Sequence, residues 1–185
     1  MGYEAALIKA WGQLKELSEQ ENFSVRFLAD EYSVDSEKKE IFSLSCNIPA
    51  KTHTAILILH YLIKKMQALL PAQAAGKWIS FKELEGGEPY YLVLKKRTID
   101  VIVRKHGKNP KGLFEAAKYL RAKKAAVSEY SVVLEPFERA VVLVEVWPGD
   151  DEFGPEANIL FDETIKDIFC TEDIVVMSEI IAHSI

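Results

Sequence analysis

Apolar residues recur at helical spacing in two long stretches of the chain. Tyr3, Leu7, Trp11 and Leu14 lie three or four residues apart, which predicts an amphipathic helix over residues 3 to about 19. A second helix is predicted over residues 52–70, where the apolar face comprises Ile56, Leu57, Ile58, Leu59, Leu62, Ile63, Met66 and Leu70. Because this face is wider than a stripe, we expect the second helix to lie at the centre of the molecule.

Alternation of apolar and polar residues indicates strands on either side of the central helices. Residues 24–29 and 41–46 alternate around a polar turn at residues 35–38, which predicts an antiparallel hairpin of two strands. Residues 131–135 and 140–147 predict a second hairpin, and residues 158–161 a further short strand. Since residues 141–144 are all apolar, we expect that strand to be covered on both faces.

Four more helices are indicated by capping signals. Ser80 and Glu83 match a capping box, and Pro89 suits the first turn of a helix that runs to Gly107. Two strands are the alternative there, because residues 101–103 are β-branched. Asn109 and Pro110 predict a helix to about residue 124, and two short helices begin near Glu163 and at Thr171, with Thr171 as the cap.

The order of the predicted elements decides the fold class. Strands and helices form separate runs along the chain, which favours an α+β fold over a regularly alternating α/β fold. We therefore predict antiparallel β-hairpins packed against a segregated cluster of helices. With 185 residues, 49% of them hydrophobic, the chain can bury one sizeable core, so residues 1–185 are predicted to form a single domain.

Charge is distributed unevenly, although the net charge is only -5. Residues 95–124 hold eleven Lys or Arg against two acids, and residues 145–173 hold ten acids against one Lys. No nucleic-acid motif accompanies the basic stretch and the chain is acidic as a whole, so a nucleic-acid partner is not expected. The favoured interpretation is a solvated helical face that complements the acidic segment.

The acidic loop after the second hairpin is the first candidate site. Asp150, Asp151, Glu152 and Asp162 supply hard oxygen ligands of the kind that Mg²⁺ or Ca²⁺ prefers, although their spacing does not match an EF-hand. The alternative, which we favour, is that these acids cap backbone N–H groups of turns while Trp147 and Phe153 pack as anchors.

Candidates for binding an anion lie in the basic stretch. Arg97 and Arg104 could clamp an anionic group, and Trp147 is a candidate ligand contact beside the acidic loop. His53 and His60 are seven residues apart on one helical face, too far for the pair four residues apart that shares one zinc ion. Cys46 and Cys170 form neither a zinc signature nor a disulfide framework, which fits a reducing cytoplasm. We expect Cys170 to be buried and inert.

One segment carries a family resemblance. The sequence Trp-Pro-Gly-Asp-Asp-Glu-Phe-Gly-Pro-Glu-Ala-Asn-Ile-Leu-Phe-Asp at residues 147–162 resembles the signature of the bacterial and archaeal family called domain of unknown function 3786. Residues 78–84, Tyr90-Tyr91 and residues 171–174 are similar to that family as well. The resemblance implies a microbial cytoplasmic protein and brings no assigned activity, cofactor or catalytic residue. Because some members carry an additional iron–sulfur cluster domain, it also implies a link to redox or one-carbon metabolism in anaerobes, although this chain has no cysteine cluster of its own.

Three functions remain open from the sequence. The leading hypothesis is a cytoplasmic binding or accessory module that docks a protein partner or small ligand between the basic helices and the acidic loop. The rival is an enzyme that uses a divalent metal ion at residues 150–162 and an anionic substrate held by Arg97 or Arg104. The third is a structural subunit of an oligomer. No signal peptide is expected, because the N-terminus has no basic region followed by an apolar stretch. No membrane partner is expected either, because no apolar stretch approaches the roughly 18 residues of a membrane helix.

Overall fold

The computed structural model describes residues 3–185. The helices are α1 (Tyr3–Leu17), α2 (Thr52–Met66), α3 (Gly87–Leu94), α4 (Asp100–His106), α5 (Gly112–Lys118), α6 (Ile165–Ile168) and α7 (Thr171–Ser184). The strands are β1 (Asn22–Phe27), β2 (Asp30–Asp35), β3 (Glu40–Ser43), β4 (Ile48–Pro49), β5 (Trp78–Ser80), β6 (Lys123–Lys124), β7 (Ser131–Phe137), β8 (Ala140–Trp147) and β9 (Glu156–Asp162). The fold is α+β, as the segregated order of elements predicts.

The first sheet is an antiparallel meander in the order β1-β2-β3-β4. The predicted hairpin between residues 24–29 and 41–46 is wrong, because β2 lies between those two strands and pairs with both. Strand β2 has the sequence Asp-Glu-Tyr-Ser-Val-Asp and buries only Val34 fully, so it carries almost no alternation. The turn between β1 and β2 is also hard to predict from the sequence. Leu28 adopts a φ of 54° there, although glycine or asparagine is the usual residue at such a position.

The second sheet has the order β5-β9-β8-β7-β6 and is antiparallel throughout. The predicted hairpin of residues 131–135 and 140–147 is confirmed as β7 and β8, and the predicted strand at 158–161 lies within β9. Val142, Leu143 and Val144 are each 0% exposed, so β8 is covered on both faces, as its continuous apolar run predicts.

Helix α2 is central, as predicted. Residues 54–59 and 61–63 are all buried, which leaves this helix almost without a solvent face. It ends at Met66, four residues before the predicted end, and Ala68 there adopts a φ of 56°. Pro71 prevents the chain from resuming the helix.

The helices after β5 follow the prediction with one irregularity. The Ser80 N–H donates to Glu83 Oε2 at 2.6 Å, which forms the predicted capping box on a 3₁₀ turn at Phe81–Glu83. Residues 87–106 are helical, so the alternative of two strands is wrong, but the five residues Lys95–Ile99 between α3 and α4 form a π-helical turn. Helix α5 ends at Lys118, and Lys123 and Lys124 instead form the edge strand β6. Residue Thr171 opens α7, and the capping position belongs to Cys170.

Aromatic side chains join the two sheets. Phe27 of the first sheet stacks on Phe137 of the second, with ring centroids 4.6 Å apart, and Tyr61 of α2 stacks on Phe137 at 4.9 Å. Beside them, the Leu28 N–H donates to the Pro136 carbonyl at 2.7 Å. One cluster of buried apolar residues includes members of both sheets and of α1, α2 and α7. No helix in residues 3–185 is long and apolar enough to cross a membrane.

Candidate functional site

A cleft of about 860 Å³ opens between the first sheet and the helices α2 and α7. One wall is the β1–β2 turn with the side chains of Phe27 and Tyr32, and the other is the last two turns of α7. The segment from Ile48 to Thr54, which connects β4 to the first turn of α2, closes one end. Apolar side chains therefore lie close to charged and titratable ones, as in many sites for small molecules.

The first turn of α2 presents unsatisfied backbone donors to this cleft. Ala55 N–H bonds to the Lys51 carbonyl at 2.9 Å, but the N–H groups of Thr52, His53 and Thr54 have no acceptor within residues 3–185. No side chain caps this end, and the first turn contains no acid. The positive end of a 15-residue helix is thus left without a negative group of its own.

Three side chains of that turn lie on the cleft wall: Lys51, His53 and Thr54. Thr54 is only 8% exposed, and its hydroxyl has no hydrogen-bond partner within the described part of the chain. Among the described residues, the buried side-chain atoms without a partner belong to Thr98, His106 and Ser128, so the Thr54 hydroxyl is open to solvent from the cleft. Its position suits a ligand atom that accepts a hydrogen bond.

The opposite rim is formed by an ion pair. Arg97, in the π-helical turn, lies 3.5 Å from Glu179 Oε2 of α7. Next to it, His183 Nδ1 lies 2.8 Å from the Glu179 carbonyl oxygen. Arg97, Glu179 and His183 also line a second hollow, of about 640 Å³, with Leu92 and Val93 on its other side. The predicted anion-binding Arg97 therefore lies where the two hollows meet.

Asp30 connects the start of β2 to the end of β3 on the inner side of the cleft. Its carboxylate accepts hydrogen bonds from the Ser43 hydroxyl at 2.5 Å and from the Ser45 N–H at 3.3 Å. Burial raises the pKa of Asp30, but these hydrogen bonds outweigh it and the pKa lies below its usual range. Ser43 in turn accepts from the Cys46 N–H at 3.1 Å. Asp30 and Ser43 thus stabilise the β3–β4 turn, and the negative charge of Asp30 lies beside the cleft.

The predicted metal ligands are divided between two ends of β9. Asp150 Oδ1 accepts hydrogen bonds from the N–H groups of Glu152 and Phe153 at 2.9 and 2.7 Å, so it caps its own turn. These bonds hold the pKa of Asp150 below its usual range. Asp151 and Glu152 in the same loop are exposed. Trp147, which begins this segment, is 40% exposed and lies outside the cleft lining.

Asp162 lies at the other end of β9, beside Trp78 of β5. It lies six positions after Glu156 along the strand, a span of about 20 Å. Its carboxylate is 1% exposed and accepts from the Ala75 N–H at 3.0 Å, the Gly76 N–H at 2.7 Å, and both the N–H and the hydroxyl of Thr164. Within residues 3–185, no three His, Cys, Asp or Glu side chains are grouped so that they could hold a metal ion.

Few residues of the basic stretch form ion pairs, and two of those pairs are local. Lys95 pairs with Asp100, and Lys118 Nζ lies 2.9 Å from Glu115. Among the described residues, no ion pair joins residues 95–124 to the acidic residues 145–173. The end of α4 does abut the acidic loop, since a side chain at Gly107 would collide with Pro155. The cleft lies elsewhere than the predicted groove, since no residue of the acidic loop lines it. Arg104 is exposed and lines neither hollow.

Sequence reasoning missed a three-residue cluster between α2 and α7. His60 Nδ1 lies 2.8 Å from Asp173 Oδ2, and the Cys170 thiol donates to the same oxygen at 3.2 Å. Cys170 is exposed, contrary to the expectation of burial. Partial burial of its sulfur and the Asp173 carboxylate nevertheless raise the pKa of Cys170 to about 12, so the thiol stays protonated and is a poor nucleophile at neutral pH. Cys170 and Asp173 are three residues apart, but His60 lies 113 residues before Asp173, so no spacing in the sequence links it to them.

Comparison with known proteins gives one result at the level of the family. No curated protein and no solved structure is significantly similar to this chain. The family model described as "Domain of unknown function (DUF3786)" matches residues 13–184, nearly the whole chain. The protein therefore belongs to the DUF3786 family.

Proposed function

We propose that this protein is a binding module whose cleft between the first sheet, α2 and α7 takes a small molecule with an apolar part. The observation that carries the proposal is the cleft itself, with a volume of about 860 Å³ and walls that combine apolar and polar groups. Sites for small molecules are typically hollows of about 300–1,000 Å³ with mainly apolar walls and a few polar groups.

The apolar part of the ligand has a defined place in this proposal. Phe27, Tyr32, Ile48, Val176 and Ile180 lie along the cleft, and Ile48 is 57% exposed. An exposed isoleucine beside a hollow gains free energy when a ligand covers it, at roughly 25 cal/mol per Å² of apolar surface buried. The free energy of binding comes in large part from this contact.

The cellular setting belongs to the same proposal. Two free cysteines and the DUF3786 assignment support a cytoplasmic protein of a prokaryote, and the resemblance to family members with iron–sulfur domains supports a role beside redox or one-carbon enzymes. In that setting the module would present or buffer a small molecule for an enzyme on another chain.

The alternative function, a divalent-metal enzyme built on residues 150–162, has less support. Four hydrogen bonds already occupy the Asp162 carboxylate, and Asp150 is used by its own turn. Titration calorimetry with Mg²⁺, Ca²⁺ and Mn²⁺ on the wild type and on Asp150→Asn distinguishes the two functions. Metal binding that is lost in Asp150→Asn would favour the enzyme.

The binding proposal is tested with Nile red, an uncharged apolar dye, followed by its fluorescence. Ile48→Glu places a charge on the cleft wall and is expected to weaken dye binding by about tenfold or more, since it removes apolar contact and adds a desolvation cost. The matched control is Leu69→Glu, an exposed apolar residue outside the cleft, 52% exposed, which should leave binding unchanged. Equal dye binding by all three proteins, or none by the wild type, would overturn the proposal.

A further inference from the structure

We infer that helix α3 and the second hollow form the interface of a symmetric dimer, in which Leu92 of each copy enters the hollow of the other copy. The occupant of this surface is therefore a second copy of the same chain. The inference goes beyond the proposed function and does not depend on it, because Leu92 and Val93 line the second hollow and not the cleft.

Helix α3 is rich in apolar residues but lies mostly at the surface. Five of its eight residues are Tyr, Leu or Val, and only Gly87 and Leu94 are buried. Leu92 is 75% exposed, Tyr90 52% and Val93 39%. A helix that is apolar on most sides is normally covered, and neighbouring exposed apolar side chains mark an interaction surface. Residues 3–185 of a single copy leave this face open, so we expect another molecule to cover it.

The second hollow supplies a matching recess on the same surface. It measures about 640 Å³, and its lining includes Leu92 and Val93 of α3 and Val101 of α4. Val101 is 5% exposed and belongs to the hydrophobic core, so the hollow reaches apolar surface. A projecting leucine and an apolar recess thus lie side by side. In a two-fold interface the same patch meets itself, so such a projection and recess fit each other reciprocally.

The charges around the hollow favour a second copy as the occupant. Lys96 and Arg97 are positive and Glu179 is negative, so the lining carries both signs. Glu179 lies 3.5 Å from Arg97, whereas Lys96 is exposed and forms no ion pair within residues 3–185. A patch with one sign of charge would repel its own copy. This patch instead offers Lys96 of one copy the Glu179 carboxylate of the other, beside an apolar centre, as is usual at protein interfaces.

The oligomeric state of the full chain tests the inference. Sedimentation velocity over a range of concentrations is expected to show a monomer of 20.9 kDa in exchange with a dimer. Leu92→Glu places a charge in each apolar contact, so it should raise the dissociation constant of the dimer at least about tenfold. Leu69→Glu is the matched control and should leave the dissociation constant unchanged, because Leu69 is 52% exposed and lines neither hollow.

Two charge reversals test the reciprocal geometry. Lys96→Glu and Glu179→Lys each place like charges opposite each other at both ends of the interface, so each variant alone should dimerise about fivefold or more weakly than the wild type. When the two variants are mixed, both contacts again join opposite charges. A heterodimer should then form more tightly than either homodimer, a result that a purely structural role of these side chains would not produce.

Each alternative outcome contradicts the dimer in a recognisable way. A wild type that stays monomeric at every concentration overturns it, and if that monomer loses Nile red binding in Leu92→Glu, the occupant of the second hollow is a small molecule. A dimer that Leu92→Glu leaves intact, or that Leu69→Glu weakens equally, uses a different surface. Charge variants that do not associate on mixing would rule out the two-fold pairing. The dye test with Ile48→Glu is separate, so the proposed function and the dimer can fail independently.

Discussion

Asp150 and Asp162 begin as equivalent acids of one sequence motif and have opposite environments in the structure. Asp150 lies in an exposed turn, whereas Asp162 is 1% exposed and accepts four hydrogen bonds. Three of the donors to Asp162 are backbone N–H groups, which tie the segment before β5 and the segment after β9 to one carboxylate. Its role is therefore to join two remote parts of the chain.

We predict that Asp162→Asn lowers the free energy of unfolding by about 1–3 kcal/mol, because the amide nitrogen cannot accept the hydrogen bonds that one carboxylate oxygen receives. Asp150→Asn should change the melting temperature little, since that turn is solvated. Chemical denaturation of both variants measures the difference. Equal and small effects would show that the Asp162 hydrogen bonds contribute little net stability.

The same carboxylate should make stability depend on pH in the acid range. Burial raises the pKa of Asp162, but the hydrogen bonds from Thr164, Ala75 and Gly76 together bring it below the usual value. A lowered pKa in the folded state means that the stabilisation is complete above the unfolded value of about 3.9 and is lost as the pH falls through the lower folded value. Thermal melts from pH 7 to pH 2 should show a decline below about pH 4 that is shallower in Asp162→Asn. An identical decline in both proteins would assign the acid sensitivity to other groups.

At the scale of single residues, the sequence predicted types of interaction better than locations. The capping interpretation of Asp150 is confirmed by its turn hydrogen bonds, because an Asp two residues before a free N–H is a local pattern. The burial of Asp162 and the pair His60–Asp173 depend on contacts between remote segments. The spacing of residues in the sequence does not indicate such contacts.

The C-terminal end of α7 shows how one element stabilises another. Lys105 Nζ of α4 donates to the carbonyl groups of Ala182, His183 and Ile185, at 3.2, 2.7 and 2.5 Å. These carbonyls lie in the last turn, where a helix leaves acceptors without partners and carries partial negative charge. Burial and the neighbouring Arg104 lower the pKa of Lys105. The lysine thus caps α7 and orients the wall of the cleft.

We predict that Lys105→Met destabilises the last turn of α7 by about 1 kcal/mol, since methionine retains part of the apolar stem and loses the cation. Hydrogen exchange should accelerate at residues 180–185 and not in α2. Lys108→Met, three residues further along and exposed, is the control for removal of a positive charge. Uniform acceleration throughout the protein would mean that the contact supports the whole fold instead of this turn.

At the scale of elements, the period of apolar residues was enough to predict those helices and strands whose buried positions recur regularly. Helices α1 and α2 and strands β7 and β8 were predicted because their buried positions follow a period of 3.6 or 2, or form one unbroken run. Strand β2 was missed because it is polar and lies in the middle of a small sheet that is half exposed. The π-helical turn was missed because its residues fit a helical pattern equally well.

The two sheets are held together across a narrow aromatic junction. Phe137 is 0% exposed and contacts Phe27, Tyr61 and Phe169, with ring centroids 4.6, 4.9 and 5.3 Å away. These partners come from the first sheet, from α2 and from the segment before α7. Since the cleft walls belong to the same three parts of the chain, the junction also fixes the shape of the cleft.

We predict that Phe137→Ala lowers the free energy of unfolding by about 3–5 kcal/mol, through lost transfer free energy and a cavity that the neighbours cannot fill. Tyr119→Ala, at an 82% exposed aromatic, should change it by about 0.5 kcal/mol or less. Denaturation followed by tryptophan fluorescence and by circular dichroism should give coincident transitions, as the prediction of a single domain over residues 1–185 requires. Separate transitions would mean that the two sheets unfold independently.

At the scale of the molecule, composition and element order were enough for the α+β class and for the family resemblance, and the position of the cleft was beyond them. The charge segregation suggested a groove between the basic helices and the acidic loop. The structure brings Gly107 against Pro155 and has its cleft beside α2, where the local sequence Pro-Ala-Lys-Thr-His-Thr has no distinctive motif. What makes the cleft is the relative placement of α7 and the first sheet.

The π-helical turn at Lys95–Ile99 bears on how the length of this chain can vary. Such a turn is equivalent to an α-helix into which one residue has been inserted, so the surplus residue is absorbed locally and the register on both sides is kept. Deletion of one residue here would therefore let a regular helix run from α3 into α4 without rotating the downstream residues relative to α3. Val101 and Ile102 would stay in the core, and only the turn that carries Arg97 would change. Relatives with a single-residue gap at this position are therefore expected to keep the buried pattern of α4 and to differ at the Arg97–Glu179 pair.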